Sequence, residues 1–91
     1  MPAAVQDIAL IVDEKITASE LTQTLKEGAG ELLESIELFD RYDKIGDGKV
    51  SLAFTMVFRA SDRTLKTEEV SAAREAASAL AAKRHDAIVR V

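Results

Sequence analysis

From Val50 to Arg59 the chain alternates without a break. Val50, Leu52, Phe54, Met56 and Phe58 take one parity, and Ser51, Ala53, Thr55, Val57 and Arg59 take the other. Side chains of a strand point to opposite faces in turn, so this period of two predicts a strand over Val50–Ala60 with one greasy face and one of small or polar groups. A similar stretch, Val5–Val12, sets Ile8, Leu10 and Val12 against Ala9 and Ile11. Apolar groups on both of its faces predict a central place in the sheet. Between these two the period changes. Leu21, Leu25 and Gly28/Ala29 recur at helical spacing behind Thr17-Ala18-Ser19-Glu20, which fits a capping box with Thr17 as N-cap and Glu20 reaching back from the third position. Gly28 or Gly30 closes that helix, which is expected over residues 18–29.

Leu32–Tyr42 reads as another strand, with one fault in its rhythm. Ile36 and Leu38 share a parity, yet Phe39 is also large and apolar. A β-bulge at Leu38–Phe39 would turn Phe39 to the helix side and bring Asp40 and Tyr42 to the opposite face. Lys44–Lys49, with two glycines, is a turn that makes a hairpin of the flanking strands. Thr67 is the expected N-cap of a second helix, with Glu68 and Glu69 in its first turn and Lys83 and Arg84 at its end, all favourable to the helix dipole. Val70, Ala73, Ala77 and Leu80 form its buried stripe, and Ile88–Val91 supplies a short last strand.

The order strand, helix, strand, strand, helix, strand is the split βαβ pattern. It predicts an α+β, ferredoxin-like fold, with a four-stranded antiparallel sheet and both helices on one face. The other face is left open. The expected core is Ile8, Leu10, Val12, Leu21, Leu25, Ile36, Phe54, Met56, Phe58, Val70, Ala73, Ala77 and Leu80.

Composition narrows the field. Ninety-one residues make one domain, and 47% hydrophobic with 31% charged residues is an ordinary globular balance. No apolar run approaches the ~20 residues that cross a bilayer, so no membrane partner is expected. MPAAVQDIAL lacks the basic start of a secretory signal, and the absence of cysteine fits a cytoplasmic protein. A net charge of −4 runs against the basic footprint usual for nucleic-acid binders. The charge is uneven, however. Residues 1–45 hold 10 acids and 4 bases, whereas residues 46–91 hold 6 acids and 8 bases.

Three side chains carry the most chemistry. If the bulge forms, Asp40, Tyr42 and Ser51 meet on the open face, where an aromatic plane, a carboxylate and a hydroxyl suit one unstacked base. A carboxylate accepts from amino and imino groups, which guanine's Watson–Crick edge offers. The plainer reading is that Tyr42 covers a sheet edge and Asp40 starts a turn. Arg59, Arg63 and Lys66 form a basic group that could meet phosphate; for Arg63 we favour a local role in tying down the loop before the second helix. Asp43–Phe54 imitates a calcium loop, but Ile45 and Phe54 stand where acidic ligands are needed, so no metal is expected. His85, the only histidine, reads as a surface residue at a strand start. GAGE at 28–31 follows a helix rather than a strand and lacks a following lysine, so it is no phosphate loop. No catalytic residue is expected.

MPAAVQDIALIVDE, LLESIELFDRYDKIGDGKVSLAF and FRASDRTLKTEEV, in that order, resemble the C-terminal ferredoxin-fold anticodon-binding domain of bacterial phenylalanyl-tRNA synthetase β subunits. The family commonly opens on Phe-Pro and has Arg before the aspartate, where this chain has Met1-Pro2 and Gln6-Asp7. The loop between Tyr42 and Ser51 is also shorter than the usual form. The resemblance implies that residues 1–91 are a single anticodon-binding domain excised from a larger chain. That parent would be a phenylalanine–tRNA ligase using ATP and magnesium, partnered by an α subunit and the remaining β-subunit domains. The domain itself would be non-catalytic and hold no cofactor. Asp40, Tyr42 and Ser51 match family positions that contact the first anticodon base, a guanine in most phenylalanine tRNAs, and Arg59 joins them as a candidate tRNA contact. The rival is an ACT-like regulatory domain, which shares the topology and binds amino acids. A glycine-bearing turn after the first strand would favour it, and DEKITASE has none.

Overall fold

Every even-numbered residue from Val50 to Phe58 is at most 1% exposed, so the alternation seen in the sequence is the wall of the core. The computed structural model describes residues 3–90. Its elements are β1 (Ala4–Asp13), α1 (Ala18–Ala29), a 3-10 turn (Gly30–Leu32), β2 (Leu33–Gly46), β3 (Lys49–Phe58), α2 (Thr67–His85) and β4 (Ile88–Val89). The sheet order is β2-β3-β1-β4, with every neighbouring pair antiparallel. This is the expected α+β, ferredoxin-like arrangement. The Met1-Pro2 departure and the Val91 end of the last strand fall outside the described residues.

Ile8, Leu10 and Val12 of β1 join the β3 residues against Leu21 and Leu25 of α1 and Val70, Ala77 and Ala81 of α2. Ile36, Ala73 and Leu80, expected inside, are half-buried at the rim. The two helices approach very closely at Gly28. A Cβ there would sit 2.7 Å from the Cα of Ala77, so neither helix could keep its place. Gly30, not Gly28, ends α1: its φ is 77° and its N–H donates to Lys26 O. At the other end Thr17 Oγ1 accepts from Glu20 N at 3.0 Å. The Glu20 carboxylate takes the Thr17 hydroxyl at 3.2 Å rather than a backbone N–H, so only half of the expected box forms.

The second helix differs from expectation at both ends. Its N-cap is Lys66, whose backbone N–H donates to Glu69 Oε2 at 2.9 Å, and Thr67 is already helical. That N–H bond first, and then the charge of Arg63, hold the Glu69 carboxyl below its usual range. Arg63 pairs with Glu69 at 2.9 Å, the local role expected of it. At the far end the helix runs through His85 and stops at Asp86, which takes a left-handed φ of 54°. His85 therefore does not start a strand. Its Nε2 lies 2.8 Å from Thr24 Oγ1, half-buried between the helices. Arg84 reinforces the join by reaching Glu27 Oε2 at 2.6 Å.

The hairpin is longer than the sequence suggested, because only Asp47 and Gly48 make its turn. Their φ values of 56° and 69° are the positive pair that a two-residue hairpin turn of this hand requires. β2 thus extends to Gly46, which pairs with Lys49.

Candidate nucleic-acid interface

Residues paired directly across a sheet share a face, so the register fixes which side chains stand together. Three irregularities interrupt β2, between Leu33 and Ser35, Leu38 and Asp40, and Tyr42 and Gly46. The second is the expected bulge. Leu38 pairs with Phe54 on the core side, Phe39 is the extra residue, and Asp40 then pairs with Ala53 on the open side. Phe39 stays outside the core, 58% exposed. Tyr42 pairs with Ser51 on the same open side.

Continuing across the sheet gives rows of open-face residues. Ser51 pairs with Ile11, which pairs with Ile88, so one row reads Tyr42, Ser51, Ile11, Ile88. The next reads Asp40, Ala53, Ala9, with Arg90 beside Ala9 through an Arg90 N–H to Ala9 O bond of 2.8 Å. A third reads Glu37, Thr55, Asp7, in which the Thr55 hydroxyl donates to Asp7 Oδ1 at 3.1 Å. The floor of the first two rows, Ser51, Ala53 and Ala9, is small. Carboxylates stand on the β2 side and at Asp7.

The structure therefore brings Asp40, Tyr42 and Ser51 together as the sequence predicted, and it adds a fourth group that sequence reasoning missed. The guanidinium carbon of Arg90 lies 5.6 Å from the centre of the Tyr42 ring. A contact of this kind at an exposed site contributes about 0.5–1 kcal/mol. Nothing in the sequence near Arg90 signals it, because the two residues come from opposite edges of the sheet. Ser51, although on the open face, is only 3% exposed, which corrects the picture of a freely offered hydroxyl. Tyr42 remains 44% exposed.

Arg59 does not join this group. It follows β3 at the end remote from Ser51, about 26 Å along the strand by ordinary strand rise, and it pairs with Glu34 at 3.0 Å. A cleft of about 330 Å³ lies at that same remote end, lined by Glu31, Leu32, Arg59, Ala60, Ser61, Asp62 and Arg63. Its two arginines are engaged with Glu34 and Glu69. Among the described residues no group of three metal-ligating side chains occurs, and residues 43–54 run as a hairpin.

The model of the ferredoxin-fold anticodon binding domain family matches residues 1–90. The chain is 55% identical over 91 residues to a phenylalanine–tRNA ligase β subunit of Streptomyces avermitilis, a match covering 98% of this chain and 11% of the relative. β subunits of the same name from Corynebacterium efficiens and Thermobifida fusca are 53% and 50% identical over the same shares. The chain thus spans about a tenth of the length of the relatives it matches.

Proposed function

The chain belongs to the ferredoxin-fold anticodon-binding domain family, and from that premise we propose that its open face receives the first anticodon base of phenylalanine tRNA. The observation that carries this reading is the meeting of Asp40, Tyr42 and Ser51 over a floor of small residues. The ring of Tyr42 supplies a stacking plane, and stacking tolerates any base. Asp40 supplies the choice. Its carboxylate accepts from the N–H groups of a guanine edge and faces an acceptor when adenine takes the same place. The Ser51 hydroxyl adds one neutral hydrogen bond.

The open face is a poor phosphate binder, since Asp7, Glu37 and Asp40 stand on it beside Arg90. Base contacts outweigh backbone attraction here, so binding by this chain alone is weak and only mildly dependent on salt. The tRNA would be held mainly by the rest of a ligase β subunit and by an α subunit, with ATP and magnesium handled there. Arg59, a strand-length away, would act on a more distant part of the RNA backbone.

The test is aminoacylation by the full-length ligase on wild-type tRNA transcripts and on transcripts altered at the first anticodon base. Tyr42→Ala should weaken tRNA use by about 1–3 kcal/mol with little regard to the base. Asp40→Ala should lower the preference for guanine over adenine more than it lowers overall efficiency. Unchanged efficiency and unchanged preference in both variants would refute the open-face reading.

A further inference from the structure

Tyr42 comes from the outermost strand β2, and Arg90 directly follows β4 at the opposite edge, with β3 and β1 between them. Three strand spacings put their backbones about 14 Å apart, yet the guanidinium carbon is 5.6 Å from the ring centre. Both side chains must therefore lean inward across the sheet. What lies beneath them is Ser51, paired with Tyr42 on one side and Ile11 on the other. Ser51 is only 3% exposed although it stands on the open face, the burial that a ring leaning over it would produce.

We propose that Tyr42 and Arg90 form a self-made cap over the base site, so that the free chain fills with its own side chains the space a base would take. Arg90 is then a positioning residue acting through Tyr42: it holds the ring down over Ser51 until a base replaces it. Binding is an exchange in which the ring gives up a guanidinium for a nucleobase and the Ser51 hydroxyl is uncovered. A surface cation–ring contact favours the closed arrangement by about two- to fivefold, enough to be the majority state and weak enough for a stacked base to displace. The proposal rests on the open-face reading above, and it makes a separate claim about the free chain.

The two claims part in one set of measurements. Tyr42 is the only tyrosine and there is no tryptophan, so tyrosine emission reports on this ring alone. In the NMR spectrum of the 91-residue chain, the Arg90 side-chain protons should be shifted by the ring current. Tyr42→Leu should abolish that shift. Arg90→Gln should change the tyrosine emission, and Arg90→Lys should restore part of the wild-type signal. An Arg90 shift that survives unchanged in the Tyr42→Leu variant overturns the cap and leaves anticodon binding untouched. An anticodon stem-loop of phenylalanine tRNA is then titrated in, with its own fluorescence anisotropy recording binding. Loss of the Arg90 shift in step with the anisotropy is the expected result. A shift that persists at saturation overturns the exchange while upholding RNA binding. A stem-loop that binds without disturbing Tyr42 emission overturns the open-face reading for this chain and the exchange with it.

Discussion

β2 and β3 are the two arms of one hairpin, and they treat their side chains in opposite ways. β3 buries each of its five even-numbered residues from Val50 to Phe58, and β2 buries none of its 14. The arm that makes the core alternates strictly, because one slip would send its whole apolar set to the wrong face. The arm at the edge breaks register three times. Asp40 and Tyr42, the side chains read as meeting a base, lie between those breaks. A strand relieved of the core is free to re-aim its residues, and this one does so.

The largest expected effect tests the core arm. Phe54→Ala should cost about 3–5 kcal/mol, a large part of what holds a small domain together. Leu38 is its direct partner across the hairpin, but Leu38 is already 41% exposed. Leu38→Ala should cost a fraction as much, and equal losses in thermal or urea melts would erase the distinction between the arms.

The edge arm is better tested by deletion. Removing Phe39 leaves Leu38 opposite Phe54 and Asp40 opposite Ala53, now in regular alternation, so Asp40 and Tyr42 should keep their face. Removing Arg41, which pairs with Leu52, would slide Tyr42 to the core side. That deletion should therefore cost tRNA use about the 1–3 kcal/mol of a lost stacking plane, whereas the Phe39 deletion should keep the first-base preference. Aminoacylation by the full-length ligase separates them, and identical behaviour would break the register argument.

Ser51 is where the two arms' roles meet, since it belongs to the core strand and faces the candidate site. Ser51→Ala should reduce base discrimination by about 1 kcal/mol, the share of one neutral hydrogen bond, and leave the melting temperature nearly unchanged. A melting change without any change in discrimination would return Ser51 to a purely packing role.

The smallest effect comes from neither arm. Glu69 has its carboxyl pKa depressed by the Lys66 N–H and by Arg63. A depressed pKa contributes stability above the unfolded carboxylate range, and that stability is lost as pH falls through the lower folded value. Glu69→Gln should thus lower the melting temperature slightly at neutral pH, and the gap to wild type should close in acid. A gap constant with pH would remove the ionised carboxylate from the account.

Much of the fold was legible because each core element repeats one simple rule. The alternation of residues 50–58 and the Thr17 cap both needed only local sequence, and even the bulge showed as two large apolar residues side by side. The misses share a cause as well. Lys66 caps α2 through its backbone, which leaves no mark on residue type. His85 reads as a surface residue in the sequence because its partner Thr24 lies in the other helix, and Arg90 carries no local signal because its partner Tyr42 lies on the far edge strand. The Asp47-Gly48 turn was readable from its dipeptide, yet the glycine at 46 drew the loop too long. Partnerships formed by tertiary approach are not written in spacing. They emerge only when the sheet brings distant strands into one row.

Among the described residues, the outer edge of β2 is a run of backbone with no neighbouring strand in the sheet. Such an edge invites another copy of the chain to add itself and polymerise. Here Glu34, Glu37, Asp40, Arg41, Asp43 and Lys44 line the strand, and its register breaks interrupt any straight pairing every few residues. The irregularities that present Asp40 and Tyr42 thus also keep copies of the chain from stacking edge to edge. Smoothing β2 into an ideal strand would strengthen the hairpin and, by the same act, supply a template for fibres.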